Sequence, residues 1–341
     1  MNKNLEKEKR YRIIAAIISV SVSVLLMGIK FWVQNLTGSN AVFSDAMESI
    51  VNVLAATLAL FIIFYASKPA DQDHPYGHGK AEYFSSIFEG GLISFAGLLI
   101  IIEAISALIK GSELKELSLG SIIVFAVGVV NLLLGVFLIS MGKKNKSSAL
   151  IASGKHVISD FYTSLGVVLG LLLVKWTGQT WIDPVAALIV ASLLIFTGIK
   201  VIRESIGNLL DEENIATLEH LSKVFSKHAV NGIIQIHHVK VIRSGYYHHI
   251  DAHIVLPEFW NIKMVHEKIY QFEKNFLNDY GHDGEINYHL DPCRRVYCKV
   301  CDLKDCPIRQ EPFQKRLPVL LDDLRSKEEP PEFREENHKD H

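Results

Sequence analysis

Long apolar segments dominate the first 210 residues of the chain, and shorter amphipathic segments dominate the remainder. A helix needs about 20 residues to cross a hydrocarbon core of roughly 30 Å. Six apolar segments reach that length, and lipid offers their backbones no hydrogen-bond partner, so each is expected to be an α-helix. The expected spans lie near Ile13–Val33, Ala41–Tyr65, Phe84–Ile109, Ile122–Met141, Val157–Trp176 and Pro184–Ile206.

The pattern changes after Asp211, where segments of helical periodicity alternate with segments rich in β-branched and aromatic residues. The Ser244-Gly245 pair separates two of the latter segments and predicts a hairpin. The resulting order of helix, strand, strand, helix and strand is typical of a two-layer α+β domain of the ferredoxin-like type. The expected elements are Ile215–Phe225, Gly232–Ile242, Tyr246–Leu256, Ile262–Leu277 and Glu285–Leu290.

These patterns divide the chain into three expected parts. Residues 1–210 form a six-helix transmembrane domain, residues 211–292 a cytoplasmic ferredoxin-like metal-binding domain, and residues 293–341 a cysteine-rich extension with a charged tail. A short helix is expected near Leu317–Leu324, followed by a disordered end whose two histidines, His338 and His341, are either solvated or weakly metal-binding.

Positive charge is concentrated on one side of the expected bundle. The N-terminus and the loops after the second and fourth spans hold most of the lysine and arginine residues, so that side is expected to be cytoplasmic. Six spans then place both termini in the cytoplasm of a multi-pass protein of the cell (plasma or inner) membrane. The first apolar segment is too long for a signal peptide and is expected to remain as a span. A net charge of −2 without a basic domain argues against nucleic acid as a partner.

Ionisable residues inside two of the spans are the first candidates for function, because a bilayer makes them costly. Glu48 and Asn52 are four residues apart in the second span, and His156 and Asp160 are four apart in the fifth. Each pair therefore shares one helix face. Two facing pairs supply four nitrogen and oxygen ligands, enough to hold a divalent cation between helices. Asp45, one turn before Glu48, is a weaker candidate ligand or a packing residue.

The expected cytoplasmic loop after the second span is a second candidate metal site. It places Asp71, His74 and His78 in a short segment rich in glycine and proline. A carboxylate and two imidazoles so close together can converge on one cation.

The four cysteines form a third candidate site, at Cys293, Cys298, Cys301 and Cys306. Four thiols within fourteen residues can form one tetrahedral zinc site, and a disulfide framework would be more widely spaced. The spacing is tighter than in most zinc ribbons. A structural zinc ion, an iron–sulfur centre and a redox pair therefore all stay open.

Several motifs resemble the cation diffusion facilitator family from about residue 10 to Cys293. The matching segments are His74-Pro75-Tyr76-Gly77-His78-Gly79-Lys80-Ala81-Glu82, His156-Val157-Ile158-Ser159-Asp160, Asp183-Pro184 and Tyr288-His289-Leu290-Asp291-Pro292-Cys293. The resemblance implies a homodimer that exchanges cytosolic divalent metal for external protons. Metal would then be both the transported substrate and a regulator.

The resemblance also implies roles for particular residues. Glu48, Asn52, His156 and Asp160 would form the transport site, and Asp71, His74 and His78 the loop site. A charge pair of Lys80 with Asp211 would join the subunits. The site of the cytoplasmic domain would consist of His237, His253, His266, His289 and Asp291.

One position departs from the zinc exporters of that family, which usually have an acid where this chain has Asn52. An amide supplies a carbonyl oxygen and does not titrate near neutral pH. Oxygen-rich sites suit Mn²⁺ or Fe²⁺, while His156 keeps Zn²⁺, Co²⁺, Ni²⁺ and Cd²⁺ as candidates. The alternative function is a membrane-anchored metal sensor or scaffold without transport. An intramembrane hydrolase is disfavoured because the sequence lacks a His-Glu-x-x-His motif, and no enzyme activity is expected.

Overall fold

The structure is a computed structural model that describes residues 3–37, 40–110, 119–179 and 181–327. The chain divides into two compact units, Met1–Leu210 and Asp211–His341. The first unit is a bundle of long helices, and the second is a small α+β domain, so the expected fold class is confirmed. The two tail histidines lie outside the described residues.

The bundle contains six long helices, and within the described residues all but the fifth include an apolar window long enough to span a membrane. The fifth helix has 30 residues, includes the polar residues His156 and Asp160, and packs against the second, third, fourth and sixth helices. It therefore belongs to the same bundle. The bounds are α1 (Lys3–Thr37), α2 (Asn40–Ala66), α3 (Ala81–Lys110), α4 (Leu119–Lys144), α5 (Ser148–Thr177) and α6 (Ile182–Leu209).

Helix α5 begins earlier than its apolar pattern predicts, at Ser148 rather than near Val157. The extra turns contain small and polar residues that pack against neighbouring helices, so hydropathy alone does not mark them. His156 and Asp160 consequently lie two to three turns inside the helix and not at its start.

Glycines allow close approach at two helix pairs of the bundle. A Cβ atom on Gly90 of α3 would lie 2.9 Å from the carbonyl oxygen of Gly198 on α6. A Cβ atom on Gly154 of α5 would lie 2.8 Å from the carbonyl oxygen of Gly135 on α4. Such distances exclude larger side chains without a shift of the backbone, so these glycines set the spacing of both pairs.

A buried ion pair joins three helices at one end of the bundle. Arg12 Nη1 of α1 lies 3.2 Å from Glu82 Oε1 of α3, and each side chain is 1% exposed. Glu82 Oε2 accepts hydrogen bonds from Ser147 Oγ (2.7 Å) and from the amide of Ala149 (3.3 Å). The carboxylate therefore fixes the first turn of α3 level with the first turn of α5.

The second unit is a three-stranded sheet with two helices against one face. Its elements are α7 (Ile215–His228), β1 (Gln235–Ser244), β2 (Tyr247–Leu256), α8 (Ile262–Tyr280) and β3 (Asp283–Pro292). Strands β1 and β2 form the expected antiparallel hairpin, and β3 adds parallel to β2 after the crossover through α8. Asparagine side chains cap both helices, Asn214 on α7 and Asn261 on α8.

The core of this unit lies between the sheet and the helices. Ile236, Ile250 and Ile254 of the sheet pack with Phe225 of α7 and Phe276 of α8, and all five are fully buried. Because side chains alternate along a strand, the intervening residues point to the opposite face, called here the outer face.

The cysteine-rich extension covers part of the outer face. A 3-10 helix at Arg295–Lys299 follows β3, and its Tyr297 packs with Cys293 against Val255 of β2. The guanidinium of Arg309 donates to the carbonyl oxygens of Cys298, Cys301 and Leu303 and so holds the loops together. A last short helix, α9 (Leu321–Arg325), returns to the main core through Leu324.

Candidate metal centres

The bundle site, defined here as Asn52, His156 and Asp160, joins α2 to α5 through one amide. Asn52 Nδ2 donates to Asp160 Oδ2 at 2.6 Å, and Asn52 Oδ1 lies 3.1 Å from His156 Nε2. The histidine is buried. Three of the four expected transport ligands are therefore brought together. The side chains of Glu48 and Asp45 lie outside the described residues, so their roles stay predictions.

The hydrogen bonds of the bundle site define the tautomer of its histidine. An ionised Asp160 only accepts, so the amide nitrogen of Asn52 faces it and the amide oxygen faces His156. A carbonyl oxygen also only accepts, so Nε2 of His156 must carry the hydrogen. Its Nδ1 atom is buried and, among the described residues, has no hydrogen-bond partner.

The three residues of the expected loop site, Asp71, His74 and His78, lie close together. Asp71 Oδ1 lies 3.5 Å from His74 Nδ1, and Asp71 Oδ2 lies 3.4 Å from His78 Nε2. His78 Nδ1 lies 3.2 Å from the carbonyl oxygen of Pro69, an acceptor that requires the hydrogen on Nδ1. The Nε2 lone pair of His78 is therefore directed toward Asp71. At metal sites a hydrogen bond to the other ring nitrogen commonly orients a ligating histidine in this way. Hydrogen bonds from backbone amides, chiefly that of His74, lower the pKa of Asp71.

The sheet site, His237, His253, His289 and Asp291, lies on the outer face of the second unit. Asp291 is at its centre: its Oδ2 atom lies 3.1 Å from His253 Nδ1 and 3.7 Å from His237 Nε2. The Oδ1 atom lies 3.5 Å from His289 Nε2. The strand registers bring these four residues together: β1 and β2 each contribute one, and β3 contributes two.

Burial keeps the imidazole of His237 neutral. Desolvation lowers its pKa to about 4, although attraction to Asp291 acts in the opposite direction. A neutral imidazole beside a carboxylate is the form in which histidine binds a metal ion.

A β-bulge adds a histidine that the sequence analysis did not assign to the site. Between His237 and Lys240 the register with β2 shifts, and His238 has a φ of 48°. The bulge turns His238 to the outer face, where its ring centroid lies 4.8 Å from that of His253. Two adjacent histidines cannot share a face of a regular strand, so only the bulge reveals this neighbour. His266 is exposed on α8, and the described cluster does not include it, so its role stays a prediction.

The four cysteines line one small pocket together with Tyr297, Ile308 and Arg309. Cys293 and Cys301 are buried, and desolvation raises the pKa of both thiols. All four are free thiols. Among the described residues, the groups with three ligand atoms in mutual reach are the loop site and the sheet site, so the thiols do not form a closed metal site here.

A bundle of long apolar helices is thus combined with polar side chains inside it, a loop cluster of metal-ligand type and an α+β domain with a second such cluster. This combination is typical of a multi-pass membrane protein. The chain matches the model of the cation efflux transmembrane domain over residues 16–210 and that of the cation efflux protein cytoplasmic domain over residues 215–293. It belongs to the cation efflux family. Members of that family are transporters rather than enzymes, and efflux of divalent metal cations is their general function.

Several relatives match most of the chain. An uncharacterized transporter, sll1263, of Synechocystis sp. is 34% identical over 81% of this chain and 89% of its own. The manganese efflux system protein MneP of Bacillus subtilis is 29% identical over 81% and 95%, respectively. The cation-efflux pump FieF of Cronobacter sakazakii is 27% identical over 83% and 93%. The matched family models end at residue 293, so most of the cysteine-rich extension lies beyond them.

Proposed function

We propose that the protein exports divalent metal cations from the cytoplasm in exchange for protons, and that the cation crosses at the bundle site. The observation that supports this most strongly is the Asn52 amide, which holds His156 and Asp160 of another helix inside the bundle. These polar groups are costly in a membrane. A cation that binds between α2 and α5 provides a reason for their presence.

Proton exchange is proposed to occur at Asp160, because a carboxylate binds either a cation or a proton. On the cytoplasmic side the ionised Asp160 accepts the cation. On the outer side a proton replaces the cation on Asp160 and is released to the cytoplasm after the return step. The hydrogen on His156 Nε2, which is shared with Asn52 Oδ1, moves to the Nδ1 atom when a cation binds at Nε2, so the histidine needs no net proton exchange.

The proposed substrates belong to the Mn²⁺, Fe²⁺, Co²⁺, Ni²⁺, Zn²⁺ and Cd²⁺ class. An amide oxygen, a carboxylate and one imidazole favour harder ions more than a thiolate site would. The 29% identity to a manganese efflux protein supports Mn²⁺ as the first metal to test. Replacing Asn52→Asp adds a negative charge, and we expect tighter binding, a steeper pH dependence and a shift toward Zn²⁺. Unchanged metal preference and pH profile would remove Asn52 from the ligand set.

The proposed assembly is a homodimer in the cell membrane with both termini cytoplasmic. The loop site and the sheet site then face the cytoplasm. Metal at the sheet site is proposed to regulate the dimer by offsetting repulsion between acidic groups. This role depends on Asp291, whose two oxygens face three histidines.

The cysteine pocket is proposed to hold a structural zinc ion. The donors fit this ion in number and type, because four thiols line one pocket around the loops that Arg309 holds together. Closing a tetrahedral site requires these loops to draw inward and the raised thiol pKa values to fall on binding. Elemental analysis of the wild type and of a fourfold Cys→Ser variant tests this. Equal zinc content in the two proteins would contradict it.

Transport is tested in proteoliposomes with an imposed pH gradient, a metal-sensitive dye and a pH-sensitive dye in the lumen. We expect metal to accumulate in the lumen only when the lumen is more acidic than the outside. The lumen should become more alkaline in step with metal uptake, because protons leave as metal enters. Metal movement that ignores the gradient would contradict proton exchange. Metal binding without any flux would favour the sensor or scaffold instead.

A further inference from the structure

Glu89 is a buried acid in the bundle that belongs to none of the four candidate sites above. It lies on α3 and is 1% exposed. Both of its carboxylate oxygens are buried and make no hydrogen bond of standard length among the described residues. The Ser153 hydroxyl on α5 faces the carboxylate without closing such a bond.

A carboxylate in this position is expensive unless something compensates its charge. Burial of an ionised group without a partner costs several kcal/mol, and acids within membrane helices are for that reason rare. The acid nearer the end of α3, Glu103, is exposed instead. A function that needs the charge of Glu89 is the simplest reason for its retention.

The position of Glu89 is set by contacts on both sides of it. Glu82 fixes the first turn of α3 level with Ala149 of α5. Glu89 follows Glu82 by seven residues and His156 follows Ala149 by seven, so both lie about 10 Å deeper in the bundle. The next residue, Gly90, packs against α6, which leaves Glu89 facing α5. The titratable side chains that act on its carboxylate are His156 and Asp160.

We propose that Glu89 is a further cation ligand of the bundle site and supplies the carboxylate that Asn52 does not. With Asp160 it provides two negative charges beside one imidazole, which balance a divalent cation. The inference rests on the proposed transport function. It also predicts opposite effects of Glu89 on stability in the two states. Its charge should lower the stability of the metal-free protein and raise the stability of the metal-bound protein.

The test compares full-length wild type with Glu89→Gln, Glu89→Asp and the matched control Glu103→Gln on the same helix. Uptake of Mn²⁺ and of Zn²⁺ into proteoliposomes gives KM and kcat for each. Heat unfolding of the same proteins in detergent, with a chelator and with each metal, gives the metal-dependent rise in Tm. We expect Glu89→Gln to raise KM at least about tenfold, as loss of groups around a metal commonly does. Glu89→Asp should fall between it and the wild type, and Glu103→Gln should match the wild type.

The unfolding measurement separates a ligand from a structural residue. Without metal, Glu89→Gln should be at least as stable as the wild type, and its rise in Tm with metal should be smaller. A variant that is less stable without metal, or one with an unchanged KM and an unchanged metal-dependent rise, would overturn the proposal for Glu89. Absence of uptake by the wild type would instead overturn the transport function, and the unfolding comparison would still decide whether Glu89 binds metal.

Discussion

Removing the charge of Glu82 should destabilise the bundle by several kcal/mol. This carboxylate forms the buried pair with Arg12 and accepts from both Ser147 and Ala149. The variant Glu82→Gln keeps the size and one accepting oxygen of the side chain. It removes the negative charge that lies 3.2 Å from the guanidinium of Arg12, a side chain that is 1% exposed.

The magnitude follows from that burial. Removing one partner of a buried ion pair costs about 3–5 kcal/mol, because the other charge stays desolvated. The retained oxygen of glutamine places the expected loss near the lower end, about 3 kcal/mol. For a helical unit of this size such a loss lowers Tm by roughly 6–12 °C. The double variant Arg12→Met with Glu82→Gln also removes the buried positive charge that faced Glu82, so it should be more stable than Glu82→Gln alone.

Thermal unfolding of the detergent-solubilised protein, followed by size-exclusion chromatography of heated samples, measures these differences. The exposed pair of Arg295 and Glu258 supplies a control, with its atoms 2.6 Å apart and its side chains 38% and 39% exposed. Glu258→Gln should change stability by less than about 1 kcal/mol. If Glu82→Gln is as stable as this control, or if the losses in the double variant are simply additive, the pair of Arg12 and Glu82 does not stabilise the bundle as expected.

Three further predictions concern packing, pH and the thiols. Gly198→Val places a branched side chain against the α3 backbone, so it should lower the Tm of the bundle. The control Gly178→Ala lies in open space with a φ of 74°, so it should lower Tm only through local backbone strain. Equal losses in Tm would argue against tight packing of α3 on α6. The pKa of His237 is about 4 in the folded state, below its ordinary value of 6.5, so its contribution is complete above pH 6.5 and is lost as the pH falls toward 4. Metal-free protein should therefore lose about 1–2 kcal/mol of protection in its strands by pH 5, measured by hydrogen exchange, and His237→Gln should lose less. Cys293 and Cys301 should react with a maleimide more slowly than Cys298 in native protein, because burial raises their thiol pKa values, and equal rates would contradict the described pocket.

Periodicity alone predicts most of the architecture. Apolar spans and alternating strands reflect local burial, which each segment encodes by itself, so the six helices and the αββαβ order follow from the sequence. The start of α5 does not, because Ser148 and the residues after it are held by contacts with Glu82 rather than by lipid.

The candidate sites are predictable in part, for a related reason. Spacing of four residues selects His156 and Asp160, but the amide of Asn52 between them depends on how α2 packs on α5. His238 reaches the outer face only through a β-bulge, and the residue pattern of β1 does not predict that bulge. The sequence alone could have identified Glu89 as a candidate, since an acid within an apolar span is itself a signal of function. That its carboxylate oxygens make no hydrogen bond among the described residues is visible only in the packed helices.

Transport through the bundle site is tested by metal uptake of wild type and Asp160→Ala reconstituted side by side at equal protein density. Asp160 accepts the hydrogen bond from Asn52. We expect the variant to elute as the same oligomer as the wild type, but its gradient-driven Mn²⁺ and Zn²⁺ uptake should fall to the level of protein-free liposomes. Uptake by folded Asp160→Ala at the wild-type rate would contradict the claim that cations cross at this site.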